Sequence, residues 1–393
     1  MNRDALKKAA ACLQTPAYVF DADEFKARAG LVQSVLGEGI DLCYSIKANP
    51  FLLAVLPDVF SHVEVCSPGE LEICKRTGIP GKKIIFSGVN KTAADIAEAA
   101  AYGADYITAE SLLHLTRISA EAVKRGDTLK VLLRLAGDSQ FGMDRSEVTD
   151  ILAHRDNWQG VHFAGIHYFT GTMKKKAQTV IDETEMLSAY LDELRETCGY
   201  TAEMVEYGTG FGIEYFKENG AELEENLLRE AAVGLLRLAE KTHLSIEMGR
   251  FFAAPCGYYL TSVADRKSSG GINYLICDGG IHQVKYDGQL KGMQIPPYEH
   301  LYTDERAEDT EVYTVCGSLC TTADVIVRNL PLCDPKAGDI LVFKRCGAYS
   351  VSEGIAMLLS RDLPEVWISC GDDLRCVRRR IQLNPFNCPE ENI

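Results

Sequence analysis

No apolar run in this 393-residue chain approaches the ~20 residues that a membrane-spanning helix requires. Its 14 cysteines include no Cys-x-x-Cys pair and none of the compact spacing of a disulfide framework. A zinc ribbon, a thioredoxin-type centre and a secreted scaffold therefore all lack support, and no metal site is expected. Free, mostly buried thiols in a reducing, cytoplasmic setting are the expectation instead. Positive charge is also short: 41 Lys and Arg stand against 56 Asp and Glu, a net charge of -15. Nucleic acid and anionic membrane would repel such a chain. The first fifteen residues, with Asp4, Lys7 and Lys8, read as a polar helix and not as a secretory leader.

What is present is a chain longer than one hydrophobic core usually organises, so two domains are expected. After a first strand at Ala17–Phe20, short apolar runs alternate with amphipathic stretches. The runs are Leu42–Ile46, Val63–Val65, Ile84–Phe86, Tyr106–Thr108, Lys130–Leu135, Phe163–His167, Met204–Tyr207 and Leu244–Glu247. Helical patterns at Pro68–Arg76, Lys91–Ala101, Ser111–Lys124 and Lys176–Thr197 lie between them. Eight strands, most of them linked by a helix, predict an α/β fold of the (β/α)8 barrel type, with a doubly wound sheet as the alternative. From Ala253 onward, strand-like runs at Tyr258–Ala264, Ile272–Cys277, Glu311–Cys316, Asp324–Arg328 and Ile340–Lys344 are broken by Gly, Pro and Asp. They predict a second, mainly antiparallel β domain. The expected boundaries are 25–251 for the barrel and 1–24 with 252–393 for the β domain. Gly288–Glu308, with Pro296-Pro297, reads as a long loop.

Barrel enzymes carry their chemistry at the C-terminal ends of the strands. Those ends hold Lys47, Glu64, Ser87, Glu110, His167 with Phe169, the loop Gly208-Thr209-Gly210-Phe211-Gly212, and Glu247-Met248-Gly249-Arg250. A strand-end lysine, partly desolvated, is a nucleophilic amine. The glycines let backbone amides approach an anion, and an acid, an arginine and an aromatic ring complete a set suited to a phosphorylated aromatic aldehyde.

Taken in order, Tyr44-Ser45-Ile46-Lys47-Ala48-Asn49, Val65-Cys66-Ser67-Pro68-Gly69-Glu70, Gln140-Phe141-Gly142, Gly165–Thr172, Gly208-Thr209-Gly210-Phe211, Glu247-Met248-Gly249-Arg250, Gly317-Ser318-Leu319-Cys320 and Gly347-Ala348-Tyr349 resemble one family. It is that of the fold-type III pyridoxal-phosphate decarboxylases acting on ornithine, arginine and diaminopimelate. The resemblance implies pyridoxal 5'-phosphate as cofactor, Lys47 as its amine partner and Glu247 at its pyridine nitrogen. It also implies Arg250, Tyr349 and the Gly208–Gly210 loop at its phosphate, with Glu64, His167, Phe169, Thr172, Thr209 and Gly249 around it. An ion pair with Arg250 is the plain alternative for Glu247. Cys320 would reach into the site of a partner subunit in a homodimer and supply a proton, a thiol of pKa near 8.5 being protonated at neutral pH. A buried structural cysteine is its alternative. Racemisation and a non-catalytic regulatory role also occur on related chains. Cys320 favours decarboxylation over the first, and the retained Lys47, Glu247, Arg250 and Tyr349 oppose the second.

Two departures concern the substrate. Phe169 stands where the family stacks a histidine, offering a flat face without a hydrogen bond, and His167 is the nearby imidazole. Thr321 follows Cys320 where diamino-acid decarboxylases place an acid, which leaves Asp324 or Glu353 as carboxylates that could meet a distal ammonium. The pattern is similar to a secondary-metabolism subgroup whose substrate is a glutamyl group on a carrier protein. Lys174-Lys175-Lys176, beside Thr172, are expected either to steer such an acidic carrier or to form a solvated helix start.

Overall fold

The structure, a computed structural model, describes residues 1–137, 139–306 and 309–389. Two compact units share the chain. One comprises Arg28–Ile213 and Glu222–Phe252, the other Met1–Ala27, Glu214–Ala221 and Ala253–Ile393. The N-terminal segment supplies α1 (Arg3–Cys12), β1 (Ala17–Asp21) and α2 (Ala22–Leu36). In α1, Asn2 caps the first turn by accepting from the Ala5 amide at 2.9 Å, and Leu6 and Ala9 are the buried face.

The first unit is a closed barrel of eight parallel strands in sequential order, sealed where β9 pairs with β2. Its elements are β2 (Ile40–Ser45), β3 (Phe60–Val65), α3 (Pro68–Thr77), β4 (Ile84–Phe86), α4 (Ala93–Tyr102), β5 (Tyr106–Ala109), α5 (Leu112–Arg125), β6 (Leu129–Leu135) and α6 (Arg145–Ala153). They continue with β7 (Val161–Phe169), α7 (Ala177–Cys198), β8 (Met204–Gly208), α8 (Gly220–Ala239), β9 (His243–Met248) and α9 (Arg250–Ala253). Three of the helix starts are signalled locally: Ser67 accepts from Glu70 N, Ser111 from His114 N, and Thr92 with Asp95 closes a capping box. Lys91, predicted as the first residue of a helix, precedes that cap and is 1% exposed.

Both faces of a parallel barrel strand are covered, so burial along β8 is unbroken. Cys43, Ile85, Leu132, Ala164 and Met204 form one apolar cluster. Two residues further along four of the same strands, on the same face by the period-2 rule, come Ser45, Ser87, Arg134 and Glu206, all buried. The barrel interior thus changes from apolar to polar toward the strand ends that carry the site.

The second unit is a nine-stranded sheet ordered β14-β13-β11-β10-β1-β16-β17, with β15 pairing β10 and β12. The strands are β10 (Gly257–Ser269), β11 (Ile272–Cys277), β12 (Tyr298–Leu301), β13 (Thr310–Cys316), β14 (Val325–Cys333), β15 (Ile340–Lys344), β16 (Glu365–Cys370) and β17 (Asp373–Arg378). Only β1–β16 and β11–β13 pair in parallel among these described strands. The predicted loop at Gly288–Glu308 is interrupted: Tyr298–Leu301 forms β12 against β15, where burial of His300 and Leu301 outweighs the polar composition. Ala307 and Glu308 lie outside the described residues. Asp324, predicted to start a strand, precedes β14, and β16 and β17 had no counterpart in the sequence reading.

Candidate active site

Lys47 sits one step beyond β2, in a 3-10 turn at Ile46–Ala48, and its side chain is 37% exposed. Its ammonium lies 2.8 Å from Glu64 Oε2, 3.5 Å from Glu247 Oε1 and 3.6 Å from Cys66 Sγ. Ser45 faces both carboxylates, at 3.0 Å from Glu247 Oε1 and closer still to Glu64. The other Glu247 oxygen, Oε2, is 3.3 Å from His167 Nε2. Strand register makes this meeting: Ser45 pairs with Glu64, and Cys43 with Glu247. Burial pushes the Glu247 carboxyl up, yet the Lys47 ammonium and the His167 contact outweigh it and hold Glu247 well below the usual range. Cys66 is pushed the other way, by burial and then by Glu64, and keeps its thiol proton. Its Sγ is 3.2 Å from Glu64 Oε1.

The glycine loop follows β8. Gly208 is required because a Cβ there would lie 2.5 Å from the Phe169 ring. Gly210 is required twice, by φ of 65° and by the Gly171 carbonyl, which an added Cβ would meet at 1.9 Å. Thr209 between them is fully buried, and its Oγ1 is 3.5 Å from the Phe211 amide. Gly249 and Arg250 link β9 to α9, while Thr172 is exposed on the β7–α7 turn. His167 is 1% exposed and engaged with Glu247, so it serves the floor of the site, whereas Phe169 keeps part of its surface open.

Several polar residues went unforeseen. Arg134 forms a buried ion pair with Glu110 at 2.7 Å, both side chains at most 8% exposed. Burial lowers Lys91 to about 8, and its ammonium donates to the Gly88 carbonyl. Glu206 is fully buried. Ser45 and Cys66 stood inside quoted motifs, but only the closed barrel shows their contacts.

The lysine run is divided. Lys174 points inward, its side chain 10% exposed, and binds both oxygens of Glu183 at 2.8 and 2.6 Å. Lys175 and Lys176 are exposed. A three-charge steering patch is therefore reduced to two residues, because Glu183 on α7 captures the first.

The remaining candidates lie in the second unit. Asp324, 2% exposed, accepts from the Ile281 amide at 2.9 Å and the Leu319 amide at 2.7 Å. Its carboxylate is thereby engaged in closing the Gly317–Asp324 turn. Glu353 forms an ion pair with Lys285. Cys320 and Thr321, on that turn, are exposed. Tyr349 adopts φ of 66°, a left-handed conformation costly for a tyrosine.

A half-exposed amine between buried carboxylates, beside a loop whose glycines cannot carry a Cβ, defines a barrel enzyme that binds an anionic, amine-reactive group. Residues 22–254 match the family described as pyridoxal-dependent decarboxylase, pyridoxal binding domain. The chain belongs to this family and is a pyridoxal-phosphate-dependent amino-acid decarboxylase. It is 30% identical to the diaminopimelate decarboxylase of Deinococcus radiodurans, with 97% of each chain covered. It is 27% identical to the L-glutamyl-(BtrI acyl-carrier protein) decarboxylase of Niallia circulans, over 93% of this chain and 91% of that one. In fold it resembles the diaminopimelate decarboxylase of M. jannaschii, with a TM-score of 0.85 at 23% identity, over 98% of this chain and 94% of that chain.

The residues present fit pyridoxal phosphate. Lys47 would supply the amine, ionised Glu247 would suit a protonated pyridine nitrogen, and the Gly208–Gly210 backbone would suit a phosphate. When bound, the cofactor supplies the electron-withdrawing ring that weakens the bond to the departing carboxylate.

Proposed function

We propose that this decarboxylase removes the α-carboxylate of an amino acid lacking a distal ammonium, with a glutamyl group tethered to a carrier protein as the leading candidate. The observation that carries the reading is the engagement of every carboxylate the sequence offered to a distal amine. Asp324 is bound to two backbone amides, Glu353 is paired with Lys285, and Thr321 brings no charge. A diamino acid would find no free carboxylate among these residues for its second ammonium. The relative from Niallia circulans, whose name specifies a carrier-bound glutamyl substrate, supports the same choice.

Within the site, Lys47 binds and releases the cofactor and orients the incoming amine. Glu247 keeps the proton at the pyridine nitrogen, with His167 and Ser45 holding its two oxygens. Phe169 offers its face to the ring, Arg250 joins the Gly208–Gly210 backbone at the phosphate, and Thr172, Thr209 and Gly249 border them. In a homodimer, Cys320 of the partner chain delivers the proton that replaces the lost carboxylate. An exposed apolar run at Ile355, Met357, Leu358 and Leu359 supports association with a second copy.

Carbon dioxide release across free and carrier-tethered amino acids tests the proposal. Turnover of glutamyl-carrier with none on lysine, ornithine or diaminopimelate is the expected result, and preference for any free diamino acid would refute it. Thr321→Glu should add activity on the diamino acids, since a charge-assisted hydrogen bond contributes roughly 1.5–3 kcal/mol, about one to two decades in rate.

A further inference from the structure

Three adjacent strands carry buried polar atoms without partners, at one level of the barrel. His167 on β7 pairs in register with Glu206 on β8, and Glu206 with Ser245 on β9. His167 Nδ1, both Glu206 oxygens and Ser245 Oγ are all buried without a hydrogen-bond partner, save a weak approach of the Cys43 thiol to Glu206. Exposure of the three residues is 1%, 0% and 0%. Leaving such groups unpaired is costly, so neighbouring orphans of this kind are normally joined by an internal water.

The polarity of the chain follows from its ends. Ionised Glu247 can only accept, so the hydrogen of the His167 contact lies on Nε2, and in the tautomer that carries this hydrogen alone Nδ1 is an acceptor. Glu206 faces the carboxylates of Glu247 and Glu64, the Lys47 ammonium and the Cys43 thiol. Burial first, and then repulsion from Glu247 and Glu64, pushes its carboxyl well above the usual range, so it holds a proton to donate.

We propose that Glu206 is a positioning residue that fixes the tautomer of His167, donating to Nδ1 through a buried water while Ser245 closes the same chain. With Nδ1 occupied as an acceptor, Nε2–H is committed to Glu247, and the carboxylate at the site floor keeps its orientation and its charge. The inference rests on the barrel mouth being the cofactor site, but its first readout needs no turnover.

The test uses cofactor-loaded enzyme labelled with 15N-histidine, the His167 signal being assigned by its loss in His167→Gln. The wild type should show a single tautomer with hydrogen on Nε2. Glu206→Gln, whose amide can donate in the same direction, should preserve it. Glu206→Leu should release a mixture of tautomers and lower kcat about tenfold, the scale of one lost hydrogen bond, with cofactor affinity unchanged. Identical His167 signals in Gln and Leu variants would overturn the proposal, as would a wild-type ring that carries hydrogen on Nδ1, alone or together with Nε2. Should the Leu variant fail to fold, infrared spectra of the wild type against Glu206→Gln decide. A protonated carboxyl band lost in the variant supports the assignment, and no such band refutes it. A correct tautomer in a protein that decarboxylates only diamino acids would sink the substrate reading and leave this one standing.

Discussion

At the scale of single residues the site depends on charges that are compensated in pairs. Lys47→Ala removes the ammonium that compensates the buried Glu64 and Glu247 carboxylates, so the variant should fold with a lowered melting temperature, lose the cofactor's visible absorbance band and lose turnover. Wild-type activity in that variant would end the assignment. Lys91 gives a sharper test of electrostatics. Its pKa falls from 10.5 to about 8 on folding, so the unfolded chain binds more protons between those values. The resulting cost is full below about pH 8 and is relieved as pH rises toward 10.5. Lys91→Met should therefore raise stability at pH 7 by on the order of 2 kcal/mol, after allowing for the hydrogen bond lost at Gly88, and the gain should vanish by about pH 10. Urea titrations of both proteins at the two pH values measure it. Lys47, Glu247 and the glycine loop were legible because they stand at strand ends inside ordered motifs. Glu206 and Arg134 were not, since a polar residue alternating with apolar ones reads as solvent-facing, whereas a closed parallel barrel has no solvent face; Lys91, in the loop before α4, was read as the start of an amphipathic helix.

Between elements, one buried carboxylate holds the glycine loop in place. Glu183 on α7 receives the Lys174 ammonium, the Thr170 hydroxyl at 2.5 Å and the Tyr207 hydroxyl. Lys174 also bonds the loop through its main chain, from its amide to the Gly210 carbonyl at 2.9 Å and from the Gly212 amide to its own carbonyl at 2.8 Å. The β7–α7 turn is thereby fastened to the β8–α8 loop. Lys174→Met strands a buried carboxylate, a change that costs about 3–5 kcal/mol, and should weaken cofactor binding at least tenfold with kcat at saturating cofactor largely kept. The double variant Lys174→Met with Glu183→Leu should recover much of the stability. Equilibrium cofactor titration and thermal melts distinguish the two effects. Three consecutive lysines carry no local sign that one turns inward, because its partner lies nine residues on, around a turn and into a helix. The turn-closing contacts of Asp324 were hidden for a related reason: its spacing from Cys320 suits a substrate carboxylate and a turn-closing one equally, and the Ile281 and Leu319 amides come from elsewhere in the fold.

For the whole molecule, the homodimer proposal predicts complementation. Lys47→Ala and Cys320→Ala, each impaired alone, should regain up to roughly a quarter of wild-type activity when mixed, since half the dimers are mixed and each has one intact site of two. Cys320→Ala alone should retain the absorbance band. No rescue after independently confirmed subunit exchange would place both residues in one chain's site or remove Cys320 from the reaction. The order of motifs made the barrel and the following β region legible, but the assignment of Glu214–Ala221 to the second unit had no sequence signal. That segment interrupts the barrel's chain between β8 and α8, where hydrophobic periodicity simply continues.

The seam between β9 and β2 sets a timetable for synthesis. Lys47 meets Glu247 only across 200 residues of chain, and β9 is the last barrel strand to leave the ribosome. At about 5–20 residues per second, the lysine spends roughly 10–40 s without its second carboxylate, on an unclosed surface. Cofactor loading is thus tied to completion of the barrel, and a nascent chain arrested before His243 should carry the amine and yet fail to capture pyridoxal phosphate.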